Sequence, residues 1–175
     1  MSNSKKYIIT SLTLCAIGAV SALAIAGTNL ITKDRIETNA KKAQEVALKE
    51  IFSDAKFSEA KTDFKLDNHS YLVNYYIASD SSDNELGYVY FVDGRNAYGE
   101  ISLMVGVTNS GVGQISVVTN TQSFASTLKE NYIDPYKAGK GDLDDVSCGA
   151  TYGAKLIKAM TDEASSDYKI QKGGN

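Results

Sequence analysis

The sequence predicts an α+β fold: an antiparallel sheet with flanking helices, preceded by one N-terminal transmembrane helix and a helical stalk. Three observations carry that expectation. An uncharged apolar run opens the chain, four runs rich in tyrosine and β-branched residues follow between turn-forming clusters, and two helical patterns come last. With 175 residues, 43% of them hydrophobic and 22% charged, the chain has the composition of one folded domain with a short appendage, far from that of disordered segments.

The apolar run from Tyr7 to Ile31 contains no Asp, Glu, Lys or Arg. As a helix rising 1.5 Å per residue it reaches about 37 Å, enough to cross a bilayer's hydrocarbon core with some tilt. A second reading stays open. Lys5 and Lys6 resemble the basic start of a signal peptide, and Ala24-Ile25-Ala26 before Gly27 resembles a cleavage site. Cys15 reads as a small hydrophobe rather than a lipid anchor, because Leu14 stands where a small residue is wanted. Gly18, Ala19, Ala22, Ala26 and Gly27 would let another membrane helix approach closely. Lys5 and Lys6 on one flank balance Lys33 and Arg35 on the other, so charge bias does not orient the span.

Asp34 to Phe52 continues with Ile36, Ala40, Ala43, Ala47 and Ile51 on one helical face, the pattern of an amphipathic stalk. The expected organisation is a tail over 1–6, a span over 7–31, a stalk over 32–53 and a globular domain over 54–175. The charged stretch to Asp67 reads as a connection with room for one short strand. Tyr71 to Ala78 and Leu86 to Val92 read as a hairpin around Asp80-Ser81-Ser82-Asp83-Asn84. Ile101 to Val107 and Val112 to Thr119 form a second pair around Asn109-Ser110-Gly111. The helical pattern from Phe124 to Tyr132 is expected to close at Pro135. A second helix is expected from Ala154 to Ala164, with Leu156, Ile157 and Met160 inward.

Composition also excludes functions. Against 21 acidic residues stand 18 basic ones, with no clustered basic face, so nucleic acid is not an expected partner. Cys15, Cys148 and the single His69 are too few for a zinc site or a disulfide framework, and no metal is expected. The eleven tyrosines read mainly as sheet packing. Asp144-Asp145 and Asp162-Glu163 read as capping or solvated carboxylates, because adjacent residues do not face one another as an acid/base dyad must.

The informative stretch is Gly139 to Met160, where a glycine-rich acidic loop runs through Ser147-Cys148-Gly149-Ala150-Thr151 into a helix. Unpaired N–H groups and the helix dipole favour an anion there, a phosphate being the natural guest. Spacing alone favours the plainer reading, in which Thr151 only caps the helix.

Asp145-Val146-Ser147-Cys148-Gly149-Ala150-Thr151 resembles the Asp-x-x-(Ser/Thr)-Gly-Ala-Thr signature of FMN-binding domains, those of the G subunit of the Rnf complex and the C subunit of the sodium-pumping NADH:quinone oxidoreductase. Tyr98-Gly99-Glu100-Ile101 to Gly106, and Gly113-Gln114-Ile115 to Thr119, are similar to the family's strand pair before the flavin loop. Cys148 stands where Ser or Thr is usual, Gly153 where a hydroxyl residue is frequent, and Asn120-Thr121-Gln122-Ser123-Phe124 where many members have Glu-Thr-Pro-Gly.

The resemblance implies a membrane-anchored electron carrier, one component of an oxidoreductase complex rather than a stand-alone catalyst, with FMN joined to Thr151 through a phosphoester by a flavin transferase that consumes FAD. It implies cofactor contacts from Asp145, Ser147, Cys148, Gly149, Ala150 and Tyr152, and from the loop Thr121, Gln122, Ser123 and Phe124. It further implies a cytoplasmic tail, an extracytoplasmic domain, and partners in membrane lipid and other electron-transfer subunits. Two other classes compete: a sortase-like transpeptidase using Cys148, His69 and Arg95, and a non-catalytic surface-binding domain using the tyrosine-rich sheet. In sortases the arginine follows the cysteine, whereas Arg95 precedes Cys148.

Overall fold

The computed structural model describes residues 3–137 and 147–173. The chain divides into two units, Met1–Lys42 and Ala43–Asn175. Helix α1, Asn3–Ile51, supplies the first and enters the second.

In the first unit the large apolar side chains of α1, among them Leu12, Leu23 and Leu30, are exposed, and the helix is long and apolar enough to cross a membrane. Threonine hydroxyls along it are satisfied within the helix. Thr10, Thr13 and Thr28 donate to the carbonyls of Lys6, Ile9 and Ala24 at 3.0, 2.9 and 2.8 Å. A hydroxyl bonded four residues back asks nothing of its surroundings, as hydrocarbon requires.

The second unit is built on a five-stranded antiparallel sheet in sequential order: β1 (Lys56–Phe57), β2 (Leu72–Ser79), β3 (Glu85–Asn96), β4 (Gly99–Thr108) and β5 (Gly111–Asn120). All four expected strands are present, and β1 is the short strand for which the connection left room. The two expected hairpins are not separate, because β3 and β4 pair along nine positions from Tyr88↔Val107 to Asn96↔Gly99.

Alternation along the strands sends side chains to two faces. On β3, Tyr88, Tyr90 and Val92 enter the main core, while Val89 and Phe91 face the other way. The main core is closed by α4 (Thr151–Gln171), which buries Ala154, Leu156, Ile157, Met160 and Ala164. The opposite face, at Val89 and Met104, is covered by Ala47, Leu48, Ile51 and Phe52 from the end of α1. Of the expected amphipathic face of the stalk, Ala47 is buried and Ala43 and Ile51 half-buried, whereas Ala40 is exposed.

Two helix boundaries correct the sequence reading. The first pattern does not close at Pro135: a short α turn, α2 (Ala125–Leu128), passes through a π turn (Lys129–Ile133) into α3 (Asp134–Lys137). Proline stands at the second residue of α3, directly after the widened turn, where its missing N–H and ring bulk cost least. The other helix, α4, starts at Thr151, three residues before the expected Ala154, and runs on past Ala164 to Gln171.

Asp167, on that extension, is fully buried and forms no ion pair among the described residues. Its carboxylate accepts from the Lys65 and Leu66 amides at 2.6 and 2.9 Å, from the Tyr90 hydroxyl at 2.9 Å and from Gln171 Nε2 at 2.7 Å. Four donors replace water around a charge that would otherwise be very costly to bury. Burial, then the neighbouring Asp167 charge, pushes the Tyr90 phenol far above its ordinary pKa. Burial and the hydrogen bond to Asp63 raise that of Tyr75. Glu163, half-buried, holds the chain before β2, since it accepts from the amides of Ser70 and Tyr71.

Candidate functional site

The start of α4, the end of β5 and the β3–β4 turn meet around an open cavity of about 260 Å³, lined by Tyr98, Gln122, Phe124, Leu128 and Gly149 to Gly153. Gly149 lies in the left-handed region, at φ +83°, where a side chain would strain the backbone, and it turns the chain into the helix. Ala150 is the N-cap residue, with no side-chain cap hydrogen bond, and Thr151 is the first helical residue. Thr151 is therefore not the cap. The residue is half-buried, and its hydroxyl has no hydrogen-bond partner among the described residues.

Cys148 is half-buried against the core, and its carbonyl accepts from Asn131 Nδ2 at 3.1 Å. Ser147 is exposed. Asp145 lies outside the described residues, as does Asp144.

The segment after β5 is fixed by hydrogen bonds. Thr121 Oγ1 accepts from the Glu100 amide at 2.9 Å, and the Ser123 amide donates to the Tyr98 carbonyl at 2.9 Å. Gln122 is buried, at 6% exposure, and donates from Nε2 to Asn96 Oδ1 at 3.1 Å and to the Gly99 carbonyl at 2.6 Å. Asn96 Oδ1 also accepts from the Tyr98 amide at 2.8 Å, and its Nδ2 donates to the Tyr152 carbonyl at 3.3 Å. A continuous hydrogen-bonded chain thus ties the first turn of α4 to the loop.

Phe124 caps α2 and is 58% exposed, so it is not core. Tyr98 and Tyr152 stack with ring centroids 5.1 Å apart and planes at 28°, while remaining 40% and 64% exposed. Exposed aromatic rings around a cavity beside a helix start suit a planar ligand carrying an anion.

The structure brings Gln122 and Phe124, but not Thr121 or Ser123, to the cavity lined by Gly149 to Gly153. Sequence reasoning did not assign Tyr98 or Asn96 to the site; their signal was the turn Asn96-Ala97-Tyr98-Gly99, whose asparagine and glycine mark a tight hairpin. It noted Gly153 only as a departure. The trio Cys148, His69 and Arg95 is joined by no hydrogen bond among the described residues. His69 packs its ring on Phe64 at 4.7 Å, and Arg95 lies opposite Glu100 in the β3–β4 ladder.

Fold and site define an α+β domain that continues from an N-terminal apolar helix and presents a hydroxyl at a helix start. Residues 1–51 match the family described as the RnfG N-terminal region. Over 110 residues, 62% of this chain, it is 33% identical to the G subunit of the ion-translocating oxidoreductase complex of Methanosarcina acetivorans. That match spans 58% of the relative's length.

Proposed function

We propose that this chain is a membrane-anchored flavoprotein electron carrier, with FMN attached through a phosphoester to Thr151, serving in an Rnf-like complex. One observation carries the reading most: the Thr151 hydroxyl stands at the first position of α4, uncommitted to capping, on the wall of a cavity edged by exposed aromatic rings. The likeness to a component of an ion-translocating oxidoreductase complex supports the electron-transfer role and partners among other membrane subunits.

Attachment balances as a transfer from FAD, the co-substrate of a flavin transferase. The Thr151 oxygen displaces AMP at the FMN phosphorus, a P–O bond forms as the pyrophosphate bond breaks, and the hydroxyl proton leaves with the departing group or to solvent. When bound, the isoalloxazine supplies the redox chemistry. The chain's own residues hold and place the group. Gly149 and Ala150 leave the hydroxyl open to the transferase, and the first N–H groups of α4 offset the remaining phosphodiester charge. Tyr98, Tyr152 and Phe124 offer apolar ring surface.

The N-terminal helix anchors the protein, with residues 1–6 in the cytoplasm and the folded domain outside, where a dissociable flavin would be lost. Protease added to intact cells should then remove the domain and spare an N-terminal tag; the reverse pattern would overturn the orientation.

Protein coexpressed with a flavin transferase should keep flavin fluorescence on a denaturing gel. Thr151→Ala should lose it completely, and Cys148→Ser should keep it. Fluorescence retained by folded Thr151→Ala would contradict the assignment.

A further inference from the structure

Gln122 Oε1 is a hydrogen-bond acceptor left over by an otherwise saturated network. The Gly99 carbonyl can only accept, so the Gln122 atom that meets it at 2.6 Å must be the amide nitrogen. Asn96 is oriented from both sides, by the Tyr98 amide and the Tyr152 carbonyl, so its Oδ1 takes the second Gln122 proton. Both donors are spent, and no donor among the described residues reaches the oxygen. The sealed side-chain polar atom without a partner among the described residues is Asn74 Oδ1, so Gln122 Oε1 keeps an opening.

The opening is made by Gly153. A Cβ placed there would lie 3.5 Å from Gln122 Oε1 and 2.7 Å from Leu128 Cδ2, so only glycine leaves the oxygen uncovered on the cavity wall. Gln122 and Gly153 are two of the positions at which this chain departs from the FMN-binding signature, and they face each other across this gap.

We propose that Gln122 Oε1, exposed through the Gly153 gap, accepts a hydrogen bond from a ribityl hydroxyl of the flavin on Thr151 and is a positioning residue for it. Gly153 is two residues from the attachment point on the first turn of α4, within reach of the sugar-alcohol chain that leads away from the phosphate. A buried amide oxygen selects a donor, and the ribityl chain presents hydroxyls. The inference rests on the proposed attachment at Thr151.

The test is time-resolved fluorescence anisotropy of the full, flavinylated protein in detergent. A held flavin tumbles with the protein, while a released one adds a fast component. Gln122→Met should shift the balance toward the fast component by about tenfold, the factor one ordinary hydrogen bond carries. Gln122→Met also loses the donors to Asn96 and Gly99, so a second variant separates the roles. Gly153→Ala combined with Leu128→Ala covers the oxygen, relieves the clash and leaves those donors in place. It should release the flavin about tenfold more than Leu128→Ala alone, which serves as the reference for the altered cavity wall. A flavin held normally in the folded double variant, or already mobile in the parent protein, overturns the Gln122 role alone. A parent protein that takes up no flavin overturns the attachment as well.

Discussion

Tyr90 and Tyr98 lie on the same β3–β4 hairpin, eight residues apart, and meet opposite environments. Tyr75, Tyr88, Tyr90 and Tyr168 pack on one another with centroids 5.0 to 6.3 Å apart, closed over by α4, with the Tyr90 hydroxyl spent on buried Asp167. Tyr98 and Tyr152 also stack, but on the edge of a cavity with much of each ring exposed. Burial makes the first set a stability device. Ring surface left without a protein partner makes the second a candidate ligand surface. Tyrosine content alone separates neither from the other, since each set joins sheet or hairpin residues to one from α4, Tyr168 in the first and Tyr152 in the second.

The closed cluster breaks most severely at its carboxylate. Asp167→Ala leaves the buried Tyr90 phenol, two part-buried backbone amides and the Gln171 amide without their acceptor, and should destabilise the domain by about 3 kcal/mol or more. Chemical denaturation followed by near-ultraviolet circular dichroism would measure this; a loss below about 1 kcal/mol, the level of an exposed polar group, would show the carboxylate to be dispensable.

Tyr90→Phe removes one of those four donors and should cost about 1 to 2 kcal/mol in the same experiment. It also sharpens the comparison through pH. The folded pKa values of Tyr90 and Tyr75 are raised above the ordinary value of 10.0, so the unfolded chain loses these protons first. Their stabilising contribution is complete below about pH 10 and declines as pH rises above it toward the folded values. Asp167, Tyr75 and Tyr88 next to Tyr90 add to its resistance to ionisation, while Lys172 lies over the Tyr88 ring at 4.8 Å. Denaturation midpoints measured from about pH 8 to 11 should fall at the alkaline end, and less steeply in Tyr90→Phe.

The open set should behave in reverse. Tyr98→Ala, Tyr152→Ala and Phe124→Ala should each change stability by only about 0.5 kcal/mol, as exposed positions do. Each should nevertheless shift the visible spectrum or reduction potential of the attached flavin without preventing attachment. Folded, flavinylated variants with unchanged spectra and potentials would remove these rings from the site.

The sheet was legible because alternation survives burial on both faces: Tyr88-Val89-Tyr90-Phe91-Val92 reads as a strand whichever side is inward. The loop before α4 was legible through its motif. The meeting of that loop with Gln122 and Phe124 came only through the resemblance, and the rest of the cavity was not legible, because Asn96, Tyr98 and Gly153 are brought to it by the β3–β4 register and by α4 folding across it, contacts that no local pattern encodes. Asp167 escaped notice for a related reason, since its partners Lys65, Leu66 and Tyr90 are distant in sequence and a single acid in a helix reads as surface. Pro135 misled because a π turn takes up the disruption that proline imposes on a regular helix.

The most direct test of the central claim is peptide mass mapping of denatured protein coexpressed with a flavin transferase. The peptide containing Thr151 should gain the mass of FMN less one water, with fragment ions placing it on the threonine oxygen. An unmodified Thr151 peptide, or flavin localised to Cys148 or another residue, would contradict the account.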